Sequence, residues 1–142
     1  MAVTGGCLCG TVRYELAEKP RETGACHCGM CRKFSGGVYL GMQVAPGGAQ
    51  FSGEENIGVF QSSDWAERGF CKSCGSSLFY RVTMPGPGQG VLHIGLGTLD
   101  DPDGVLLTGE IFVDRKPDGY AFQGETHKMT EAEVFAMYAP SA

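Results

Sequence analysis

Between Cys26 and Cys31 the chain carries three thiols, as Cys26-His27-Cys28-Gly29-Met30-Cys31, and two cations, Arg32 and Lys33, follow at once. Unrelated core cysteines have no need of so tight a spacing. The i+2 and i+3 intervals let three sulfurs converge on one ion. Thiolate rather than thiol binds metal or attacks carbon, and neighbouring cations favour the thiolate. Three protein ligands leave a tetrahedral ion with one open position, the mark of a catalytic rather than a structural site.

The other four cysteines fall into two pairs, Cys7 with Cys9 and Cys71 with Cys74. Seven thiols are an odd number, so a disulfide framework would strand one of them, and the Cys-x-Cys and Cys-x-x-Cys spacings favour metal. Two plus two makes a closed four-sulfur zinc site, the middle three make an open one, and no cysteine is left over. The closed site ties an early loop to a later knuckle, Cys71-Lys72-Ser73-Cys74-Gly75, and so fixes the relation of two sheets. In the open site a three-thiolate zinc carries a formal −1 charge, which tempers its acidity and suits it to holding a soft thiolate.

Charge narrows the partners. The formal net charge of −5 becomes −5 − 7 + 4 = −8 once seven thiolates hold two zinc ions. Nucleic-acid binding needs a basic stripe to displace counterions, and the sequence has none, nor a cationic patch for a membrane surface. No apolar run approaches the length of a membrane span, and the N-terminus reads as no leader, so a reducing cytoplasm is expected. The 142 residues suit one domain, 1–142, and the 23 glycines and 7 prolines read as turns between many short strands.

Apolar alternation predicts strands over 11–16, 38–44, around Phe51, over 57–61, 66–70, 78–82, 91–99 and 109–113. Residues 18–24 read as a polar connection, and one or two helical turns follow Cys31, ending before Ser35-Gly36-Gly37. A C-terminal helix starts at a capping box of Thr130 with Glu133 and a staple of Met129 with Val134. Val134, Met137 and Tyr138 share its face, and Pro140 stops it.

Several residues carry open alternatives. His27, on the opposite side of an extended loop from its neighbours, supports the site from behind or faces solvent rather than serving as a fourth ligand. His93 reads as a hydrogen-bonded core histidine, and His127 has no assigned role. Arg32 and Lys33 either hold substrate carboxylates or solvate a helical turn. Trp65 either lines a pocket or packs at the core or rim.

The segments Gly6-Cys7-Leu8-Cys9-Gly10-Thr11-Val12-Arg13-Tyr14, Cys26-His27-Cys28 with Cys31-Arg32-Lys33, Arg68-Gly69-Phe70-Cys71 with Cys74-Gly75-Ser76, and Gly97-Thr98-Leu99-Asp100-Asp101-Pro102 resemble the glutathione-dependent formaldehyde-activating family, which includes centromere protein V. The resemblance implies a mainly β fold of two small antiparallel sheets meeting at a zinc site, β-tent-like, with the short C-terminal helix added. It implies structural zinc on Cys7, Cys9, Cys71 and Cys74, and active-site zinc on Cys26, Cys28 and Cys31 beside a glutathione site. The implied reaction joins glutathione to formaldehyde or a related small aldehyde as S-hydroxymethylglutathione, which makes the enzyme a carbon–sulfur lyase. Glu110 stands where relatives often have histidine, and Gly119 where they often have tryptophan. The alternatives are a non-catalytic zinc module or thiol carrier, and a methionine-sulfoxide-reductase relative. No cysteine follows Cys74 to serve as the nucleophile of the last.

Overall fold

A computed structural model describes residues 2–138. Two sheets form the body. The smaller joins β1 (Val3–Gly6), β2 (Arg13–Leu16) and β5 (Ala49–Ser52) in the antiparallel order β1-β2-β5. The larger contains β3 (Glu22–Cys26), β4 (Tyr39–Val44), β6 (Ile57–Gln61), β7 (Ala66–Cys71), β8 (Ser77–Val82), β9 (Leu92–Gly95), β10 (Leu106–Ile111) and β11 (His127–Met129). Their order is β11-β10-β3-β4-β9-β8-β7-β6. Two helices complete the described chain, α1 (Gly29–Ser35) and α2 (Glu131–Tyr138). Neither is long and apolar enough to cross a membrane.

The mainly β architecture, the two sheets and the short final helix agree with expectation. The expectation of two small antiparallel sheets needs correction: the larger has eight strands and is mixed, because β10 runs parallel to both β3 and β11. The stretch 18–24, read as a connection, contributes most of β3, a strand between β10 and β4. Its inward residues are Thr23 and Ala25, too polar or too small to give an apolar alternation. Val3–Gly6, where no strand is expected from the sequence, is β1, and the polar segment at His127 is β11. The strand expected over 91–99 stops at Gly95 and turns through a 3₁₀ segment, Leu96–Thr98. The one expected over 109–113 lies earlier, at Leu106–Ile111, and Val113–Arg115 is again 3₁₀.

Between the sheets lies the core. Val12, Tyr14 and Leu16 face Met42, Val44, Leu78, Phe79 and Ile94, while Glu15 points to solvent, as the period-2 pattern requires. The α2 capping box is present: Thr130 N–H donates to Glu133 Oε1 at 3.0 Å, and Glu133 N–H to Thr130 Oγ1 at 3.3 Å. Of the expected apolar face Val134 is buried and Met137 is exposed; Pro140 lies outside the described residues.

Candidate functional site

The seven cysteines are unpaired and gather into the two groups expected from their spacing. Cys7, Cys9, Cys71 and Cys74 form one, Cys26, Cys28 and Cys31 the other, with sulfurs in each within 4.8 Å of one another. In the first group Cys7 Sγ lies 3.6 Å from Cys9 Sγ, and Cys9 Sγ lies 3.8 Å from Cys71 Sγ. Zinc–sulfur bonds of about 2.3 Å give tetrahedral sulfur–sulfur edges of about 3.8 Å. A disulfide needs about 2.05 Å. The spacing therefore fits a metal.

Donors aimed at sulfur support the same fit. Val12 N–H reaches Cys7 Sγ at 3.3 Å, Cys74 N–H reaches Cys71 Sγ at 3.4 Å, and the Asn56 amide reaches Cys71 Sγ at 3.3 Å. Such contacts offset thiolate charge. The Ser76 hydroxyl, 3.2 Å from Cys74 Sγ, is the main cause that brings the Cys74 thiol down to about 5. Gly75 turns the knuckle at φ 79°, a left-handed conformation that favours glycine, and its N–H bonds Cys71 O at 2.8 Å. Cys7 and Cys9 follow β1, whereas Cys71 ends β7, so this group joins the two sheets.

The three-cysteine group is local. Cys26 ends β3, Cys28 is the N-cap of α1, and Cys31 sits one turn into the helix, its N–H reaching Cys28 Sγ at 3.4 Å. Strand alternation puts Cys26 and Cys28 on one side, and the i+3 step returns Cys31 to it. The contacts from Cys26 and Cys31 bring the Cys28 thiol down to about 2, and the contact with Cys28 pushes Cys26 up.

His27 points the opposite way and is fully buried, which excludes the solvent-facing alternative. Its Nε2 donates to Glu110 Oε1 at 2.8 Å and its Nδ1 meets the Tyr120 hydroxyl at 2.9 Å. Parallel pairing of β10 with β3 sets Glu110 opposite Ala25, and His27 N–H bonds Ile111 O at 3.1 Å. Burial alone would raise the Glu110 carboxyl, but hydrogen bonds from Thr126 and His27 hold it below its ordinary value. The glutamate at this position therefore clamps the loop that carries the thiols.

Arg68, from β7, is the site residue that the sequence reading did not single out. Arg68 is 4% exposed, and its guanidinium lies 3.5 and 3.6 Å from Cys31 Sγ, flanked by the Phe34 and Tyr80 rings at 5.3 and 5.1 Å. Among the described residues no carboxylate pairs with it. A buried charge needs a counter-charge; the Cys26 contact and the Arg68 charge favour the ionised form of Cys31, against the Cys28 contact and burial, which push this thiol up. The available signal was a charged residue at an inward position of an alternating strand, beside buried Ala66.

Arg32 and Lys33 are exposed, and neither forms an ion pair among the described residues. Both line a groove of about 400 Å³ together with Cys28, Met30, Trp65, Phe112, Glu131 and Phe135. Trp65 thus takes the pocket-lining alternative. A larger cleft of about 890 Å³ touches Cys7 and Asp100, but four sulfurs around one ion would leave no open corner there. His93 is half-buried and edge-on to Tyr80 at 5.5 Å, and burial lowers its pKa. His127 begins β11 on the surface.

Comparison with known proteins follows the same lines. The model of the glutathione-dependent formaldehyde-activating enzyme family matches residues 2–115. An uncharacterized lyase of Schizosaccharomyces pombe is 28% identical over 130 residues, covering 92% of each chain. A Halomonas elongata protein provisionally named a glutathione-dependent formaldehyde-activating enzyme is 31% identical over 88 residues, 56% of this chain and 55% of that one. A crystal structure of a Rhodobacter sphaeroides protein shares the fold at a TM-score of 0.57 and 21% identity, covering 74% of this chain and 99% of the other. The chain belongs to the glutathione-dependent formaldehyde-activating enzyme family.

Proposed function

We propose that this family member joins glutathione to formaldehyde or a related small aldehyde at the three-cysteine site, as a carbon–sulfur lyase of one domain. The observation that carries the reading is a trio of convergent thiols, backed by the buried cation of Arg68, whose Cys28 lines a groove shared with Arg32 and Lys33. Zinc held by Cys26, Cys28 and Cys31 would supply a Lewis-acidic fourth corner suited to a soft thiolate, while zinc on Cys7, Cys9, Cys71 and Cys74 would cross-link the sheets. Unpaired thiols suit a reducing compartment, the cytoplasm.

The chain's own residues do the rest. Arg68 favours the ionised form of Cys31. The His27–Glu110 pair fixes the loop between Cys26 and Cys28. Arg32 and Lys33 meet the carboxylates of glutathione, and each such contact at about 4 Å near the surface is worth roughly 4 kcal/mol before desolvation. Distant acidic residues are screened over about 8 Å at physiological salt, so these local cations outweigh the net charge. In the addition the sulfur–carbon bond forms, the carbonyl π pair moves to oxygen, and the thiol proton ends on that oxygen. Holding both reactants together supplies much of the acceleration for so simple a step.

Calorimetry with glutathione on the wild type and an Arg32→Ala, Lys33→Ala double variant, paired with turnover of glutathione plus formaldehyde, tests this. Affinity should fall in the double variant and weaken with salt. Binding without turnover would identify a thiol carrier. No binding of glutathione at millimolar concentration would leave a zinc module.

A further inference from the structure

Formaldehyde adds one carbon to a thiol, and glutathione is polar along its length. A site for that adduct alone has no use for a wall of large apolar side chains, yet the groove beside Cys28 has one. Met30, Trp65 and Phe135 line it while remaining 42%, 37% and 51% exposed. Phe112 completes the wall and packs edge-on to Phe135 at 5.8 Å. Its backbone is left-handed, at φ 56° and ψ 43°, and among the described residues no other non-glycine residue has a positive φ. That conformation is disfavoured for a residue with a Cβ and persists where the surroundings impose it. Arg32 and Lys33 line the same groove, and Glu131, the acidic lining residue, is engaged by Arg115 at 2.6 Å. The groove therefore offers cations, an apolar wall and a thiol-bearing end in one space.

We propose that this groove selects glutathione adducts of aldehydes that carry an apolar or aromatic substituent. Arg32 and Lys33 take the carboxylates, and Met30, Trp65, Phe112 and Phe135 take the substituent. The proposal rests on the glutathione reading of the same site and adds the class of aldehyde. The bond changes are those given above, and no oxidant or reductant enters.

Because the chain has one tryptophan and it lies in the groove, Trp65 emission reports occupancy directly. S-methylglutathione and S-hexylglutathione differ only in what they offer the wall, and neither can react. S-hexylglutathione should bind at least about ten-fold more tightly, equivalent to about 1.4 kcal/mol, and should shift Trp65 emission to the blue. Phe135→Ala, on the rim of the groove, should bring the two affinities together, whereas Arg32→Ala with Lys33→Ala should weaken both alike. Equal affinity of the wild type for the two conjugates, with glutathione still bound, would overturn the aldehyde class and leave the glutathione reading standing. Failure of glutathione and both conjugates to bind at millimolar concentration would remove both. A dimer that Phe135→Asp disperses, with the conjugates excluded from wild type, would show that a second copy fills the groove and would also overturn the proposal.

Discussion

The four-cysteine group takes its sulfurs from two sheets, whereas the three-cysteine group takes all of its own from one turn of chain. What the second group draws from a distance is charge: Arg68 from β7 beneath Cys31, and Glu110 from β10 behind His27. Distant sulfurs around one metal would make a cross-link, and a cross-link belongs to stability. Distant charges around local sulfurs make an adjustable centre, which suits the proposed chemistry. β7 serves both groups, since Arg68 and Cys71 lie on the same strand.

The largest test of this contrast is to remove one sulfur from each group. Cys74→Ser should lose one metal equivalent and several kcal/mol of stability, because structural zinc supplies about 10–16 kcal/mol of folding free energy in small zinc peptides. Roughly 10–20 °C should be lost from the melting temperature. Cys28→Ser should remain folded and lose metal from the other group. Metal analysis with thermal melts decides it. Equal collapse of the two variants, or a wild type with seven titratable thiols and no metal, would erase the distinction.

A smaller effect should follow from Arg68→Met, which keeps the buried volume and deletes the cation. Metal affinity at the three-cysteine group should drop about 10- to 100-fold, with the four-cysteine group unchanged. Competition with a chromogenic chelator resolves the two equivalents. Loss of both together would mean that Arg68 acts on the fold rather than on Cys31.

The smallest concerns Glu110→Gln, which leaves the shape and weakens the hydrogen bonds to His27 and Thr126, at a cost of about 1–3 kcal/mol. Its pH dependence has a definite sign. The folded carboxyl lies below its ordinary value, so its contribution is complete above the unfolded value of about 4.3 and disappears as pH falls through the folded one. Wild type and variant should therefore differ in melting temperature at pH 7 and converge toward pH 3. A constant difference across that range would show that the carboxylate charge is not what holds the loop.

Much of this contrast was legible in the chain. The division of the cysteines follows from spacing, and strands β2, β4 and β8 follow from alternation, because each presents apolar residues to a shared core; β6 and β7 are expected too, although Val59 and Phe60 of β6 are exposed. β3 escaped because Thr23 and Ala25 carry little hydrophobic signal, and β11 because it is three residues long and begins with the exposed polar pair His127 and Lys128. Parallel pairing of β10 with β3 has no local signature at all. Arg68 and Glu110 were visible only as charges in apolar strands. Their partners, Cys31 and His27, become evident only once the sheet sets them side by side.

The pairing of β3 with β10 also orders the birth of the molecule. During synthesis Cys74 emerges well before Ile111, and contacts between distant segments are slow to close. A nascent chain halted after β9 already has every sulfur of both groups and Arg68. It lacks the strand that carries Glu110 and the Phe112 that follows it. The four-cysteine group can thus assemble before the three-cysteine one is complete, and the thiols of Cys26, Cys28 and Cys31 acquire their final frame only when the late strand slides in beside them.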